Sequence, residues 1–92
     1  MSVKLYTVDN CGYCKVAKEL LAFKQVPYTE VKVPRELSTQ EFAEKYPDVR
    51  QFPLIIDEST SNRIGGFRDL QEWLLSRENQ QLLNENIKDL TL

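Results

Sequence analysis

The sequence predicts one α/β domain, a mixed four-stranded sheet flanked by helices, on three observations. Its apolar residues switch between a period of two and a helical period in the order β-α-β-α-β-β-α. Breakers stand where those periods change, at Pro27, Pro34, Pro47 and Gly65-Gly66. Its 92 residues, 41% apolar and 28% charged, suffice for one core and not for two.

Val3 to Val8 alternates Val3, Leu5 and Thr7 against Lys4, Tyr6 and Val8, a first strand with one apolar face. From Tyr13 to Lys24 the spacing is helical, with Val16–Leu20 and Ala17–Leu21 as i,i+4 pairs and Phe23 extending the buried stripe. Asn10 or Cys11 is then the N-cap. Pro27 disfavours a helical Val26 and ends the helix. Tyr28 to Val33 alternates again, so strand, helix and strand make a βαβ unit with parallel strands. Ser38-Thr39-Gln40-Glu41 has the S-x-x-E form of a capping box, which predicts a short helix from Thr39 to Tyr46 with Phe42 and Tyr46 inward. Pro53 to Asp57 is a dense apolar run suited to a strand covered on both faces. A polar turn from Glu58 to Asn62 leads to a second strand at Arg63-Ile64, an antiparallel hairpin. Asp69 to Leu75 is amphipathic, with Leu70, Trp73 and Leu74 on one face. Leu82, Leu83, Ile87 and Leu90 keep a helical spacing, so the expected domain spans 1–92 with a core of about 3–77 and a helical tail over 78–92, either an extension of the last helix or a separate one.

Composition narrows the function. Twelve Lys and Arg against 14 acids, a net charge of −2, argue against a non-specific nucleic-acid binder. No run reaches the roughly 18 apolar residues of a membrane span, and Met1 to Tyr6 is too short and too alternating for a signal peptide. The expected location is therefore the cytoplasm, where a persistent structural disulfide is disfavoured. Histidine is absent, which removes Ser-His and Cys-His hydrolytic triads.

The two cysteines, Cys11 and Cys14, stand in Asp9-Asn10-Cys11-Gly12-Tyr13-Cys14-Lys15. A disulfide between them closes too short a loop to stabilise the chain by entropy. A closed zinc site wants four ligands, and the sequence supplies two thiols and no imidazole, so no resident metal site is expected. Thiol–disulfide exchange fits better. At a helix N-terminus the unpaired N–H groups and the helix dipole favour a thiolate at Cys11, while Cys14, one turn on along the same face, is placed to resolve.

Three segments then stand together in the order and spacing of one family. Cys11-Gly12-Tyr13-Cys14, Gln51-Phe52-Pro53 and Gly65-Gly66-Phe67-Arg68-Asp69-Leu70 resemble the glutaredoxins, over roughly residues 3–77. That resemblance implies the thioredoxin fold with sheet order 2-1-3-4. It implies a cis bond before Pro53, with Pro53 facing the cysteines, the Phe52 backbone pairing with the cysteinyl part of glutathione, and Gln51 among the glutathione-binding residues. Gly66 with Phe67, Arg68 and Asp69 would take the γ-glutamyl end, Asp69 facing its ammonium. Tyr13 would shield the mixed disulfide, and Gln40 and Arg50 match positions that hold the glycine carboxylate in relatives. The chain departs from the family at Val8, where relatives often carry Lys, at Arg68, where a small hydroxyl or acidic residue is common, and at Gly12, where Pro is commoner.

The implied activity is that of a dithiol glutaredoxin, a glutathione-dependent oxidoreductase in which Cys11 attacks and Cys14 resolves. Glutathione is its reductant and cosubstrate. The expected partners are glutathione and disulfide-containing or glutathionylated proteins, with a monomeric chain and neither nucleic acid nor membrane. Gly12 keeps a second reading open, a carrier in which Cys11 of two chains and two glutathiones ligate a [2Fe–2S] cluster. A third is a thioredoxin-like electron donor, against which Asn10 and Gly12 stand where thioredoxins usually carry Trp and Pro.

Overall fold

A computed structural model describes residues 2–77 of the chain. The expected tail, 78–92, lies outside the described residues. Strand β1 (Val3–Thr7) lies at the centre, parallel to β2 (Tyr28–Lys32) and antiparallel to β3 (Leu54–Asp57). Strand β4 (Asn62–Gly65) adds antiparallel to β3, and the sheet order is β2-β1-β3-β4. Helix α1 (Gly12–Phe23) crosses from β1 to β2, α2 (Thr39–Lys45) follows β2, and α3 (67–77) follows β4. Among the described residues no helix is long and apolar enough to cross a membrane.

Strand alternation sends neighbouring side chains to opposite faces, and helices cover both. On one face Val3, Leu5 and Ile55 pack with Ala17 and Leu21 of α1 and Leu70 and Leu74 of α3. On the other, Tyr6, Leu54 and Ile56 pack with Val33 and with Phe42 of α2. Leu5, Leu21, Ile55 and Leu70 are fully buried, each contributing roughly 1.5–3 kcal/mol by area.

Two expectations about burial are corrected. Strand β1 does not have a single apolar face: Tyr6 is 2% exposed, its ring edge-on to Phe42 and Tyr46 at 5.4 Å from each. Nor do Val16 and Phe23 extend the buried stripe of α1; they are 42% and 81% exposed. The buried stripe runs through Cys14, Ala17 and Leu21. At about 100° per residue, Val16 falls more than a third of a turn from its centre, on the same far side of the helix as Phe23.

Local chemistry fixes the helix ends. Gln25 takes a left-handed φ of 59°, Val26 N–H reaches Leu21 O at 2.9 Å and Gln25 N–H reaches Ala22 O at 3.1 Å, the Schellman pattern that satisfies the last carbonyls of α1. At α2 the capping box forms as expected, with Glu41 N–H donating to Ser38 Oγ at 3.0 Å. Helix α3 begins two residues before the expected Asp69, because Phe67 and Arg68 complete its first turn.

Candidate functional site

The cysteine pair sits where β1 hands over to α1. Asn10 adopts φ 58°, a left-handed conformation that Asn tolerates, and turns the chain so that Cys11 becomes the N-cap. Cys14 N–H donates to Cys11 Sγ at 3.1 Å, so an amide that the helix leaves unpaired is spent on that sulfur. The first turn of α1 contains no acidic side chain to offset the dipole. Asp9, just upstream, is paired with Arg35 at 3.1 Å. Once the pair is reduced, these features together favour a thiolate at Cys11.

The two thiols differ in access. Cys11 is partly exposed, whereas Cys14 is 3% exposed. In this structure they form a disulfide across the first helical turn, with Cα atoms 5.2 Å apart. Cys11 Sγ also lies 3.7 Å from the carbonyl oxygen of Phe52, which precedes a cis bond to Pro53. A second cis bond, Val33–Pro34, had no signal in the sequence reading.

Beyond Phe52 opens a groove of about 870 Å³. Of the expected residues, Tyr13, Arg50, Gln51, Phe52, Pro53, Gly66, Phe67, Arg68 and Asp69 all line it. Gln40 does not; it lies on the exposed face of α2 and donates to Glu44 Oε1 at 3.4 Å. Cys11 and Cys14 line a separate depression of about 380 Å³, and the contact of Cys11 Sγ with the Phe52 carbonyl places that sulfur beside the large groove. Phe52 is held by a ring contact with Phe42 at 4.9 Å, and Tyr13 by one with Phe67 at 5.7 Å.

Charges along the groove are unevenly committed. Asp69 Oδ2 accepts the Gly66 N–H at 3.0 Å, closing the N-terminus of α3, and among the described residues no donor is bound to its other oxygen. Asp48 is taken up by Arg63, whose guanidinium holds that carboxyl below its ordinary range. Arg50 and Arg68 have no ion-pair partner among the described residues. The sequence reading missed Asp48 and Arg63 as parts of this groove, since exposed charges 15 residues apart carry no local pattern.

Behind the cysteines lies a second feature it missed. Glu30 of β2 accepts from Thr7 Oγ1 at 2.8 Å and from Lys18 Nζ at 3.0 Å. Burial of Glu30 opposes its ionisation, but the hydrogen bonds from Lys18 and Thr7 outweigh it and lower the carboxyl from its ordinary 4.5. A group whose folded value is depressed stabilises the fold above its unfolded value, and that contribution is lost as pH falls through the folded one. Glu30→Gln is therefore expected to cost on the order of 1 kcal/mol at neutral pH, with the deficit closing in acid. Urea titrations of both proteins at neutral and acidic pH check this; a deficit independent of pH would sink it.

A family model described as Glutaredoxin matches residues 3–59 of the chain. Comparison with curated proteins returns no match. Among solved structures the chain is similar to the glutaredoxin of Brucella melitensis, at 29% identity and a TM-score of 0.67, covering 90% of this chain and 88% of that one. It is similar to reduced Escherichia coli glutaredoxin at 23% identity and a TM-score of 0.68, over 86% of this chain and 99% of that one. It is similar to a buckwheat glutaredoxin–glutathione complex at 18% identity and a TM-score of 0.67, over 90% of this chain and 76% of that one. At the last two identities the likeness is one of fold, and the sheet order 2-1-3-4 with its helices is the thioredoxin fold.

Proposed function

From the premise that the chain belongs to the glutaredoxin family, and so to thiol–disulfide oxidoreductases, we propose that it uses glutathione to reduce glutathione mixed disulfides and protein disulfides. The observation that carries this reading is the asymmetry of the pair. A partly exposed Cys11 sulfur stands at a helix N-terminus beside the groove, and a nearly buried Cys14 lies one turn behind it.

In deglutathionylation the Cys11 thiolate attacks the glutathione sulfur of a mixed disulfide. The protein thiolate leaves and takes a proton from water, and glutathione stays on Cys11. A second glutathione thiolate attacks that sulfur, restoring Cys11 and releasing glutathione disulfide. With a protein disulfide, Cys11 first bonds one protein sulfur, and Cys14 then displaces the protein as a dithiol. Two glutathiones return the Cys11–Cys14 disulfide to the thiols and leave as their own disulfide. No protein base is needed, in keeping with a chain that has no histidine.

Charge supports glutathione as the ligand of the groove. The peptide carries two carboxylates and one ammonium. Arg50 and Arg68, both in the groove lining, offer a guanidinium to each carboxylate, and the remaining Asp69 oxygen suits the ammonium. Arg68 thereby turns a departure from the family pattern into an added cation, and Arg50, which lines one depression with Val8, is placed to supply the cation that relatives often carry there as Lys.

Steady-state reduction of a small glutathione mixed disulfide by glutathione tests the proposal. Saturable turnover well above the uncatalysed exchange is expected, and a rate equal to it would overturn the reading. Among the described residues no group of three or more His, Cys, Asp or Glu could hold a metal ion. The carrier reading, in which Cys11 of two chains and two glutathiones would ligate a [2Fe–2S] cluster, comes from the family resemblance, and a brown dimer from anaerobic purification would favour it instead.

A further inference from the structure

Arg63 reaches from the edge strand β4 to the loop ahead of Pro53. Both of its terminal nitrogens donate to Asp48: Nη1 to Oδ2, and Nη2 to Oδ1 at 3.1 Å. The same guanidinium stacks over the Tyr46 ring, with Cζ 5.4 Å from the centroid. Tyr46 is itself fixed against Tyr6 and Phe42, at 5.4 Å from each. Arg63 is therefore held at its head by a two-point ion pair and on its flat face by an aromatic ring locked to the core.

We infer that the Arg63–Asp48 pair is a clamp that positions the two walls of the groove relative to each other. One wall is the loop carrying Arg50, Gln51 and Phe52, which begins two residues after Asp48. The other is the turn at Gly66 and the start of α3 with Arg68, which begins three residues after Arg63. Asp48 and Arg63 both line the groove between these walls. Within the loop, the Val49 N–H to Tyr46 O bond of 3.2 Å and the Phe52 ring are the other anchors. Arg50 and Gln51 are exposed between them.

An exposed ion pair contributes little to stability on average, because long side chains lose entropy and water screens the charges. A forked, stacked arginine is pre-organised and loses less. Its effect is read where geometry matters most, in how well a ligand with separated carboxylates meets Arg50 and Arg68 together. Arg63 and Asp48 are positioning residues in this account: neither touches the reacting sulfurs. The inference rests on the glutathione reading for its ligand, but not for its structural half.

The test uses the full chain carrying Asp48→Asn, Arg63→Gln, both changes, or Arg63→Lys. Each single charge-removing variant is expected to raise KM for a small glutathione mixed disulfide about two- to fivefold with kcat retained. The double variant is expected to be no worse than the worse single one, because the two side chains act as one unit. Arg63→Lys, which keeps charge without the fork, should recover only part of the loss. Amide hydrogen exchange at Arg50, Gln51 and Phe52 should quicken in the same variants. Unchanged KM together with unchanged exchange overturns the clamp, as does a double variant whose losses simply add. If the wild-type chain turns over no glutathione mixed disulfide, the glutathione reading fails, and the exchange measurement alone decides the clamp.

Discussion

Cys11→Ser is expected to lose turnover of a glutathione mixed disulfide by roughly 10³-fold or more, while Cys14→Ser retains it. A serine hydroxyl stays protonated at neutral pH unless a base takes its proton, and the chain has no histidine to do so. The features that favour negative charge at position 11, an amide donor and a first turn free of acids, are too weak to ionise an alcohol. In Cys14→Ser those features survive, because the donor to the Cys11 sulfur is the backbone N–H of residue 14, not its side chain. The Cys14 side chain is nearly buried, so serine brings a hydroxyl into an enclosed place and costs about 1 kcal/mol of stability, which Cys14→Ala avoids. Reduction of a protein disulfide should separate the two variants from wild type. Without glutathione, Cys14→Ser forms the mixed disulfide with the protein and stalls there, a covalent adduct visible by mass spectrometry. Retained mixed-disulfide turnover in Cys11→Ser would remove Cys11 as the attacking group.

What the sequence made legible is what depends on near neighbours along the chain. The capping box at Ser38 and Glu41 and the N-cap position of Cys11 each need only three or four consecutive residues, and both formed. The element order followed from periodicity and breakers, and β3 was readable because a short strand covered on both faces has to be apolar throughout. The errors have one physical origin, the choice of which face another element will cover. Tyr6 looked outward-facing because the sequence around β1 does not say that α2 will lie across that side. Val16 and Phe23 looked inward-facing because a 12-residue helix permits more than one apolar stripe, and α3 settles which is buried. At the site, groove-lining residues in contiguous motifs were recognisable by resemblance. Asp48, Arg63 and the Thr7–Lys18–Glu30 group were not, because each pairing exists only after the strands are in register.

Gly65→Ala is expected to destabilise the fold by roughly 2–4 kcal/mol, whereas Gly66→Ala next to it should cost under about 1 kcal/mol. Gly65 has φ 122°, a conformation that side-chain-bearing residues rarely adopt, and a Cβ built on it overlaps the Asp69 carboxylate. Relief must come from one of two places. Either the backbone rotates, disturbing the pairing of Gly65 with Ile55 at the end of β4, or Asp69 swings away and gives up the Gly66 N–H that it caps. The second route also loosens the start of α3, where Phe67 and Arg68 face the groove. A Cβ on Gly66 meets nothing closer than the Pro53 carbonyl oxygen at 3.9 Å, an ordinary contact. Its cost falls on the groove: the added methyl narrows it beside Pro53, so weaker glutathione binding is expected with stability nearly intact. For a domain of this size, a loss of 2–4 kcal/mol corresponds to a fall of about 10–25 °C in Tm, well outside the error of a thermal melt. Asp69→Ala supplies the internal check. Without the carboxylate the steric part of the Gly65→Ala penalty disappears, so Gly65→Ala should cost less in that background, by roughly 1 kcal/mol or more. An equal cost in both backgrounds would place the whole penalty in backbone strain and leave Asp69 no part in holding the turn. Wild-type stability in Gly65→Ala would refute the geometry of the turn itself.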